Sequence, residues 1–369
     1  MSVDYLFIDE SLNEYTPDKH QWRPKSGLFN VKPYKTSFPL EKIKTRSASL
    51  WRYKEALPFR KDEYFSSLTL GEGMTPLVSF NSTEPNLLMK MDYLMPTGSF
   101  KDRGAAVLIA KALELGVTSV IADSSGNAGT SIAAYCARAN MNCHIYVPDS
   151  TSQKKLGQIE AHGAQIHKVS GSREAAALAA MKAVEAEHKF YASHVYNPFF
   201  YEGTKTFAFE IWEQLGFQLP DTVVLPVGNG TLLLGAFIGF KNLKEAEATD
   251  KIPKIIGVQA EGCAPIAKAI RNNLNVSAVK NKGTQAEGIA IADPARGNQV
   301  SAAVKSTGGN IVTAPEEGID AAQKELAQRG FFVEPTTAAT YAAFNKYRDS
   351  ITTVDDVVVM SLCGSGLKK

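Results

Sequence analysis

From residue 101 onward, short apolar runs alternate with longer segments of helical periodicity, and this alternation limits the possible folds most strongly. The first set of predicted elements is helix 105–115, strand 119–122, helix 127–140, strand 143–147, helix 153–162, strand 165–169 and helix 173–189. The second set is helix 207–215, strand 222–226, helix 231–242, strand 254–259, helices 265–272, 315–329 and 336–347, and strand 356–361. Strands that alternate with helices predict parallel sheets with helices on both faces.

The two sets predict an α/β protein of two three-layer domains with parallel-rich sheets. We expect residues 85–190 to form a smaller domain, and residues 71–84 with 191–369 to form a larger one. Residues 1–70 would be an extension packed on the larger domain. In open parallel sheets, ligands bind beyond the carboxyl ends of the strands. Residues 273–299, the longest stretch without a regular pattern, are a candidate active-site loop.

Composition argues against several classes of function. The net charge of +2 gives no reason to expect nucleic acid or anionic lipid as a partner. No stretch approaches the roughly 18 apolar residues of a membrane span, and the acidic first residues do not resemble a signal peptide. The four cysteines form no CxxC pair, so neither a zinc site nor a disulfide framework is indicated. We therefore expect a cytoplasmic protein whose cysteines are reduced.

One motif, PTGSFKDRG at residues 96–104, places Lys101 between a glycine-containing turn and a predicted helix. A lysine that attacks an aldehyde must be a free amine, and partial burial and the positive end of a helix both favour that form. Gly98 permits a tight backbone, and Phe100 supplies an apolar wall. The alternative is a helix entry followed by a solvated Lys-Asp-Arg cluster, in which Asp102 has only a structural role.

Three glycine-containing loops follow predicted strands. Residues 123–129, DSSGNAG, offer hydroxyls, an amide and free N–H groups at a helix start, which suit a carboxylate. Residues 226–231, PVGNGT, contain two glycines that let the backbone curl around a phosphate. Residues 362–366, LCGSG, follow the last strand. The first loop could instead be an ordinary glycine turn with a serine or asparagine cap, and the third could be a turn at the end of the chain.

A lysine, a carboxylate-type loop and a phosphate-type loop together would meet the needs of pyridoxal phosphate. The segments PTGSFKDRG, SSGNAG, PVGNGT, VEPTTAA and a closing glycine loop, in that order, resemble the fold type II pyridoxal phosphate enzymes, whose fold is like that of tryptophan synthase β. Within that family, LWRYKEALP, GEGMTPL, GVQAEGCAPI, EGIAIADPA and CGSGLKK resemble threonine synthase. The resemblance runs from about residue 50 to the end of the chain.

The resemblance implies a role for each matching residue. Lys101 would be the Schiff-base lysine that also moves the Cα proton, and Phe100 would pack near the cofactor ring. Asn127 would hydrogen-bond the ring hydroxyl, Cys363 would lie near the pyridine nitrogen, and Glu334 would lie near the cofactor's edge unless it is a surface carboxylate. The other implied ligands are Ser124, Ser125, Gly126 and Ala128 for the substrate carboxylate, and Val227, Gly228, Asn229, Gly230 and Thr231 for the cofactor phosphate.

Cys363 has a chemical consequence in this interpretation. A neutral thiol does not hold the pyridine nitrogen protonated as a carboxylate would, so the ring is a weaker electron sink. That favours elimination or replacement over transamination. The alternative for Cys363 is a small buried apolar side chain.

Several positions depart from the threonine synthase pattern. Threonine synthases like this chain hold the substrate phosphate with a threonine, an Asn-Ser pair, an arginine and an asparagine. Here those positions are Ala128, His194 with Val195, Phe200 and Leu232. A phosphate needs charge-assisted donors, and losing one costs roughly 1.5–3 kcal/mol. His194 could be a substitute donor or acid, or simply a packed histidine, and Phe200 would make the pocket apolar.

Three functions remain open. The first is threonine synthase, with phosphate loss from O-phosphohomoserine and water addition at Cβ. The second is a serine or threonine dehydratase-like or β-replacement (cysteine synthase-like) enzyme, which Cys363, Phe200 and Leu232 favour. The third is a non-catalytic paralogue that binds the cofactor. The resemblance implies a homodimer. Residues 5–31 follow the outline of a zinc ribbon seen in related chains but contain no cysteine, so we expect no zinc there.

Overall fold

The computed structural model describes residues 5–59 and 61–368. The first four residues of the predicted N-terminal extension, Arg60, and the final lysine of the CGSGLKK segment lie outside the described residues.

The strands lie where short apolar runs occur, and the helices follow them. Within the described residues the strands are β1 (Phe7–Ile8), β2 (Glu14–Tyr15), β3 (Asn30–Val31), β4 (Leu77–Asn81), β5 (Glu84–Lys90), β6 (Ser119–Ala122), β7 (Asn142–Pro148), β8 (Gln165–Val169), β9 (Phe190–Tyr191), β10 (Thr222–Pro226), β11 (Lys254–Ala260), β12 (Asn310–Ala314) and β13 (Val358–Ser361). The α-helices are α1 (Leu40–Thr45), α2 (Glu63–Ser66), α3 (Lys101–Glu114), α4 (Asn127–Arg138), α5 (Gln153–Ala161), α6 (Arg173–Glu187), α7 (Phe199–Thr204), α8 (Thr206–Gln214), α9 (Thr231–Glu245), α10 (Pro265–Arg271), α11 (Gly297–Ser306), α12 (Ile319–Gln328) and α13 (Pro335–Ile351).

The chain forms two compact units. The first unit contains the described residues up to Glu72 together with Lys101–Thr204, and the second contains Gly73–Phe100 with the residues from Lys205 onward. The domain bounds expected from the sequence, 1–70, 85–190 and 71–84 with 191–369, stay a prediction.

The first unit is built on a four-stranded parallel sheet in the order β8-β7-β6-β9. Ile121 of β6 and Tyr191 of β9 pack against Ala180 and Val184 of α6. Trp22, from the N-terminal segment, joins this cluster, and its ring lies 5.0 Å from the Tyr191 ring in an edge-on arrangement. A small antiparallel sheet, β2-β1-β3, belongs to the same unit. All four strands of the main sheet therefore point their carboxyl ends to one edge.

The second unit is built on a six-stranded sheet in the order β12-β11-β10-β13-β5-β4. Its strands pair in parallel except β4, which pairs antiparallel with β5. Ile256 and Val258 of β11 lie in one core cluster with residues of α12 and α13. Gly257, between them, faces Leu233 of α9 instead. Because side chains alternate between the two faces of a strand, helices cover both faces, and the predicted α/β class is confirmed.

The predicted elements match the observed ones best where an apolar run is isolated. Strands 119–122, 165–169 and 222–226 have the predicted bounds.

The prediction missed α7, α11, β9 and β12. The sequence of α7, FFYEGT, is rich in aromatic residues and contains a glycine, all of which are poor helix formers in isolation. Tertiary packing stabilises this helix where local propensity does not.

A membrane-spanning helix is absent from the described part of the chain, since no helix there is both long enough and apolar enough.

Candidate active site

Lys101 is the first residue of α3, so the predicted helix start at residue 105 is four residues too late. Its side chain is partly buried, and its Nζ lies 5.8 Å from the centroid of the Phe200 ring. Asp102, the next residue, is fully buried and accepts a 2.6 Å hydrogen bond from the Ser131 hydroxyl of α4. Asp102 thus joins two helices, in agreement with the structural role expected for it.

Phe200 is fully buried in α7 and packs against α3. A Cβ atom on Gly104 would lie 2.4 Å from Cδ1 of the Phe200 ring. Only glycine allows this close approach, because real Cβ atoms do not come so near another heavy atom. The two helices therefore meet at Gly104, one turn after Lys101.

His194 follows β9 and is 6% exposed. Its ring meets the Phe200 ring edge-on, with centroids 6.0 Å apart. Burial, aided by the positive charges of Lys101 and Arg173, holds the pKa of His194 well below its usual 6.5. The imidazole is therefore neutral at pH 7, with one nitrogen able to donate a hydrogen bond and the other able to accept one.

The SSGNAG loop joins the carboxyl end of β6 to the start of α4. The Ser124 side chain is largely buried, and its Oγ accepts a 3.3 Å hydrogen bond from the Gly126 N–H. Among the residues that the structure describes, none accepts a hydrogen bond from the N–H groups of Ser125 or Ala128. Asn127 begins the helix. This arrangement suits an anionic group, since donors at a helix N-terminus favour negative charge.

The PVGNGT loop joins β10 to α9 in the second unit. Gly230 is the N-cap of α9 with φ +79°, and a Cβ on Gly228 would lie 2.8 Å from the Gly288 carbonyl oxygen. The N–H groups of Gly228, Asn229 and Gly230 have no acceptor within residues 5–59 and 61–368. Together they form a concave set of donors of the kind that binds phosphate.

Val227, within this loop, and Leu232, after it, are both buried. The N–H of Val227 is used by the sheet, because it donates to the Val258 carbonyl oxygen at 2.8 Å. Leu232, at the second position of α9, is 1% exposed.

Cys363 is 1% exposed, after the end of β13. Its Sγ lies 3.1 Å from the Thr337 hydroxyl and 3.6 Å from a carboxylate oxygen of Glu334. The same hydroxyl accepts hydrogen bonds from the N–H groups of Cys363 and Gly364. The Cys363 carbonyl accepts a 3.0 Å hydrogen bond from the N–H of Phe100. Cys363 thus lies among polar groups rather than in a purely apolar core.

Each unit brings part of the predicted site together. In the first unit, Lys101, Phe200 and His194 form one cluster. In the second unit, Gly288 contacts both the PVGNGT loop and the VEPTTAA segment. It adjoins Gly228 of the loop, and its N–H donates a 3.2 Å hydrogen bond to the hydroxyl of Thr336 in the segment.

Two residues of this arrangement were missed by the sequence interpretation. Thr337 was overlooked although it lies in the VEPTTAA segment, one of the segments that carry the family resemblance. Arg173 was assigned only as the start of a helix, and no local pattern marks it.

The chain matches known proteins over most of its length. Residues 68–364 match the model of the family described as pyridoxal-phosphate dependent enzyme. The chain belongs to this family. It is 37% identical to the threonine synthase of Methanocaldococcus jannaschii over 350 residues, which cover 92% of this chain and 86% of the relative. It is 36% identical to the threonine synthase of Methanosarcina acetivorans, with 89% and 82% covered. The chain is therefore a pyridoxal-phosphate-dependent lyase of the threonine synthase type.

Solved structures support the fold of this family member. Maize serine racemase superposes with a TM-score of 0.72 at 19% identity, covering 87% of this chain and 94% of that one. The processed threonine deaminase isoform 2 of Solanum lycopersicum gives 0.71 at 22% identity, covering 93% and 90%. Both confirm the fold type II architecture expected from the sequence.

No group of three or more metal-binding side chains occurs among the described residues. The four cysteines are all buried, and none of them forms a disulfide.

Proposed function

We propose that this lyase eliminates a leaving group from the side chain of a small amino acid. The threonine synthase reaction is the first candidate: loss of phosphate from O-phosphohomoserine, then addition of water at Cβ. The similarity to threonine synthases over most of both chains carries this proposal. The motif order from Lys101 to Cys363 supports it.

The residues present fit pyridoxal phosphate. The donors of Gly228, Asn229 and Gly230 lack acceptors in the described protein, so a phosphate group would satisfy three buried or partly buried N–H groups. Thr231, at the start of α9, adds a hydroxyl. Cys363 offers a thiol for the ring nitrogen. We infer that Glu334 and Asn127 contact other parts of the cofactor, as the family resemblance implies.

When bound, the cofactor supplies an aldehyde for the lysine amine and a ring that withdraws electrons from the substrate Cα. We assign the amine to Lys101 and infer that its Nζ also carries the Cα proton during elimination. Ser124, Ser125 and the N–H of Ala128 would bind the substrate carboxylate and fix the orientation of the Cα–H bond. A thiol at Cys363, beside the Thr337 hydroxyl, would make the ring a weaker electron sink than a carboxylate there would, which favours elimination over transamination.

A second candidate follows from the burial of Phe200. The position where threonine synthases carry an arginine holds a fully buried aromatic ring here. That change favours a dehydratase-like or β-replacement reaction on serine, threonine or an O-substituted serine. In both candidates the substrate is an amino acid.

We further propose a cytoplasmic homodimer, which the family resemblance supports.

Purified, cofactor-loaded protein tests both candidates. It is offered O-phosphohomoserine, threonine and serine in separate reactions, and phosphate, threonine and 2-oxo acids are measured. Phosphate and threonine from O-phosphohomoserine alone support the first candidate, whereas 2-oxo acids from serine or threonine support the second. Lack of turnover with all three, despite bound cofactor, contradicts the first candidate and the dehydratase-like form of the second. Size-exclusion chromatography with light scattering tests the dimer.

A further inference from the structure

The hydroxyl of Thr337, in the first turn of α13, joins a small hydrogen-bond group in the second unit. Its oxygen accepts a 3.1 Å hydrogen bond from the Cys363 N–H and a 3.3 Å hydrogen bond from the Gly364 N–H. The same oxygen lies 3.1 Å from the Cys363 Sγ. Thr337 is fully buried and Cys363 is nearly so, so water does not rearrange these contacts.

The contact between the Thr337 hydroxyl and the Cys363 sulfur has one possible direction. A hydroxyl has two acceptor lone pairs and a single proton to donate. The two backbone N–H groups occupy both lone pairs of the Thr337 oxygen, so this oxygen does not also accept the thiol proton. The hydroxyl proton therefore points to Sγ, and the sulfur is the acceptor in this contact.

The thiol proton of Cys363 must then point in another direction, and the structure gives it an acceptor in Glu334. The sulfur donates to Oε1 of Glu334 at a distance of 3.6 Å. A side chain on Gly364 would overlap the Glu334 carboxyl group, and the Glu334 N–H donates to the Gly364 carbonyl oxygen at 3.0 Å. The carboxylate is thus packed against the backbone next to Cys363.

We propose that Thr337 and Glu334 are positioning residues that fix the direction of the Cys363 thiol proton. Thr337 donates its proton to the sulfur, and Glu334 accepts the proton that the sulfur carries. The proposal rests on the proposed function, in which Cys363 lies near the pyridine nitrogen of the cofactor, and it deepens that function.

The charge of Glu334 decides which acceptor holds the thiol proton. A hydrogen bond to a carboxylate is roughly twice as strong as one between neutral groups, so the carboxylate prevails over a neutral ring nitrogen. A thiol whose proton is held in this way does not offer it to the ring. The ring therefore stays a weak electron sink, and elimination is favoured over transamination.

The S–H stretching band of Cys363 in the infrared spectrum reports the direction of the thiol proton. The full chain is measured before and after loading with pyridoxal phosphate, as wild type, Glu334→Leu, Glu334→Gln, Thr337→Ser and Thr337→Val. Each spectrum is taken against that of the same protein carrying Cys363→Ser, which subtracts the bands of the other three cysteines. The control is Asp349→Leu, which removes an exposed carboxylate from the far end of α13.

The wild-type band is expected at a lower frequency than that of a thiol in an apolar solvent, both before and after loading. Glu334→Leu moves it to higher frequency, and Glu334→Gln, which keeps an oxygen without the charge, gives an intermediate position. Thr337→Val broadens and shifts the band, whereas Thr337→Ser keeps the wild-type band because serine retains the hydroxyl. Asp349→Leu changes nothing. A wild-type band at the position of a thiol without a hydrogen bond, or a band that does not move in Glu334→Leu, would overturn the proposal.

Turnover tests the consequence for the reaction. With O-phosphohomoserine, threonine or serine, whichever is turned over, Glu334→Leu is expected to raise the fraction of turnovers that end in transamination, and Glu334→Gln to raise it less. An unchanged fraction in Glu334→Leu, together with a shifted band, would overturn the link to the ring nitrogen. If the wild type turns over none of these amino acids, the proposed function fails, while the infrared band still shows whether Glu334 holds the thiol proton.

Discussion

The Phe200 ring occupies the space where a side chain on Gly104 would be, with a would-be Cβ–Cδ1 distance of 2.4 Å. This contact fixes α7 against α3 and puts the same ring 5.8 Å from the Nζ of Lys101. It also supports His194, whose ring lies edge-on to Phe200. The Phe200 side chain thus lies beside both Lys101 and His194 of the first unit.

Gly104→Ala is expected to destabilise the protein. The added methyl group must push the Phe200 ring or separate the helices, and overpacking of this kind typically costs about 1–3 kcal/mol. Urea unfolding measures the change in the free energy of unfolding. Gly157→Ala is the matched control, because Gly157 lies in α5 with no atom near its would-be Cβ. There alanine should be neutral or stabilising by about 0.5–1 kcal/mol. Equal effects at both positions would contradict the close contact.

Lys101→Ala is expected to remove the visible absorbance of lysine-bound cofactor while the far-ultraviolet circular dichroism stays unchanged. The reason is that no other lysine would carry the covalent link. Absorbance spectra after loading with pyridoxal phosphate and dialysis provide the measurement. Lys241→Ala, which removes an exposed lysine of α9, should keep the wild-type spectrum. An unchanged spectrum in Lys101→Ala would end the assignment of this lysine.

The stability contributed by His194 is expected to depend on pH. Burial and nearby cations hold the pKa of His194 well below 6.5 in the folded protein, whereas the unfolded chain has the ordinary value. As pH falls below about 6.5, the unfolded state takes up a proton that the folded state does not, so stability decreases by up to about 1.4 kcal/mol per pH unit. Urea unfolding from about pH 8 to pH 5 should show this extra loss in the wild type relative to His194→Gln. Parallel pH curves for the two proteins would show that the histidine is not buried in its neutral form.

The ion pair between Lys90 and Glu210 is expected to be costly to break from one side. Both side chains are fully buried, and Nζ lies 2.7 Å from the carboxylate. Lys90→Met leaves a buried carboxylate without this partner, which typically costs about 3–5 kcal/mol. The exposed pair Lys251–Asp221 serves as the control, and Lys251→Met should cost about 0.2–1 kcal/mol. The double variant Lys90→Met/Glu210→Met should recover much of the loss. A similar small cost for both single variants would show that water reaches Lys90.

Much of the fold followed from local patterns. Strands 119–122, 165–169 and 222–226 could be predicted because each is a short apolar run between turn residues. Helix α7 could not, because its aromatic sequence favours a helix only when α3 is present to pack against. Strand β12 is equally dependent on its partner, since it forms by parallel pairing with β11.

The sequence by itself determined the family and the cofactor. Lys101, the glycine loops and their order along the chain are local features that can be read from the sequence without the folded structure. Only the tertiary structure decided that the Phe200 ring lies near the Lys101 amine and that the buried His194 ring meets Phe200 edge-on. These relationships join segments that are far apart in the chain. They depend on close packing between helices and on the parallel alignment of strand ends, neither of which leaves a periodic trace in the sequence.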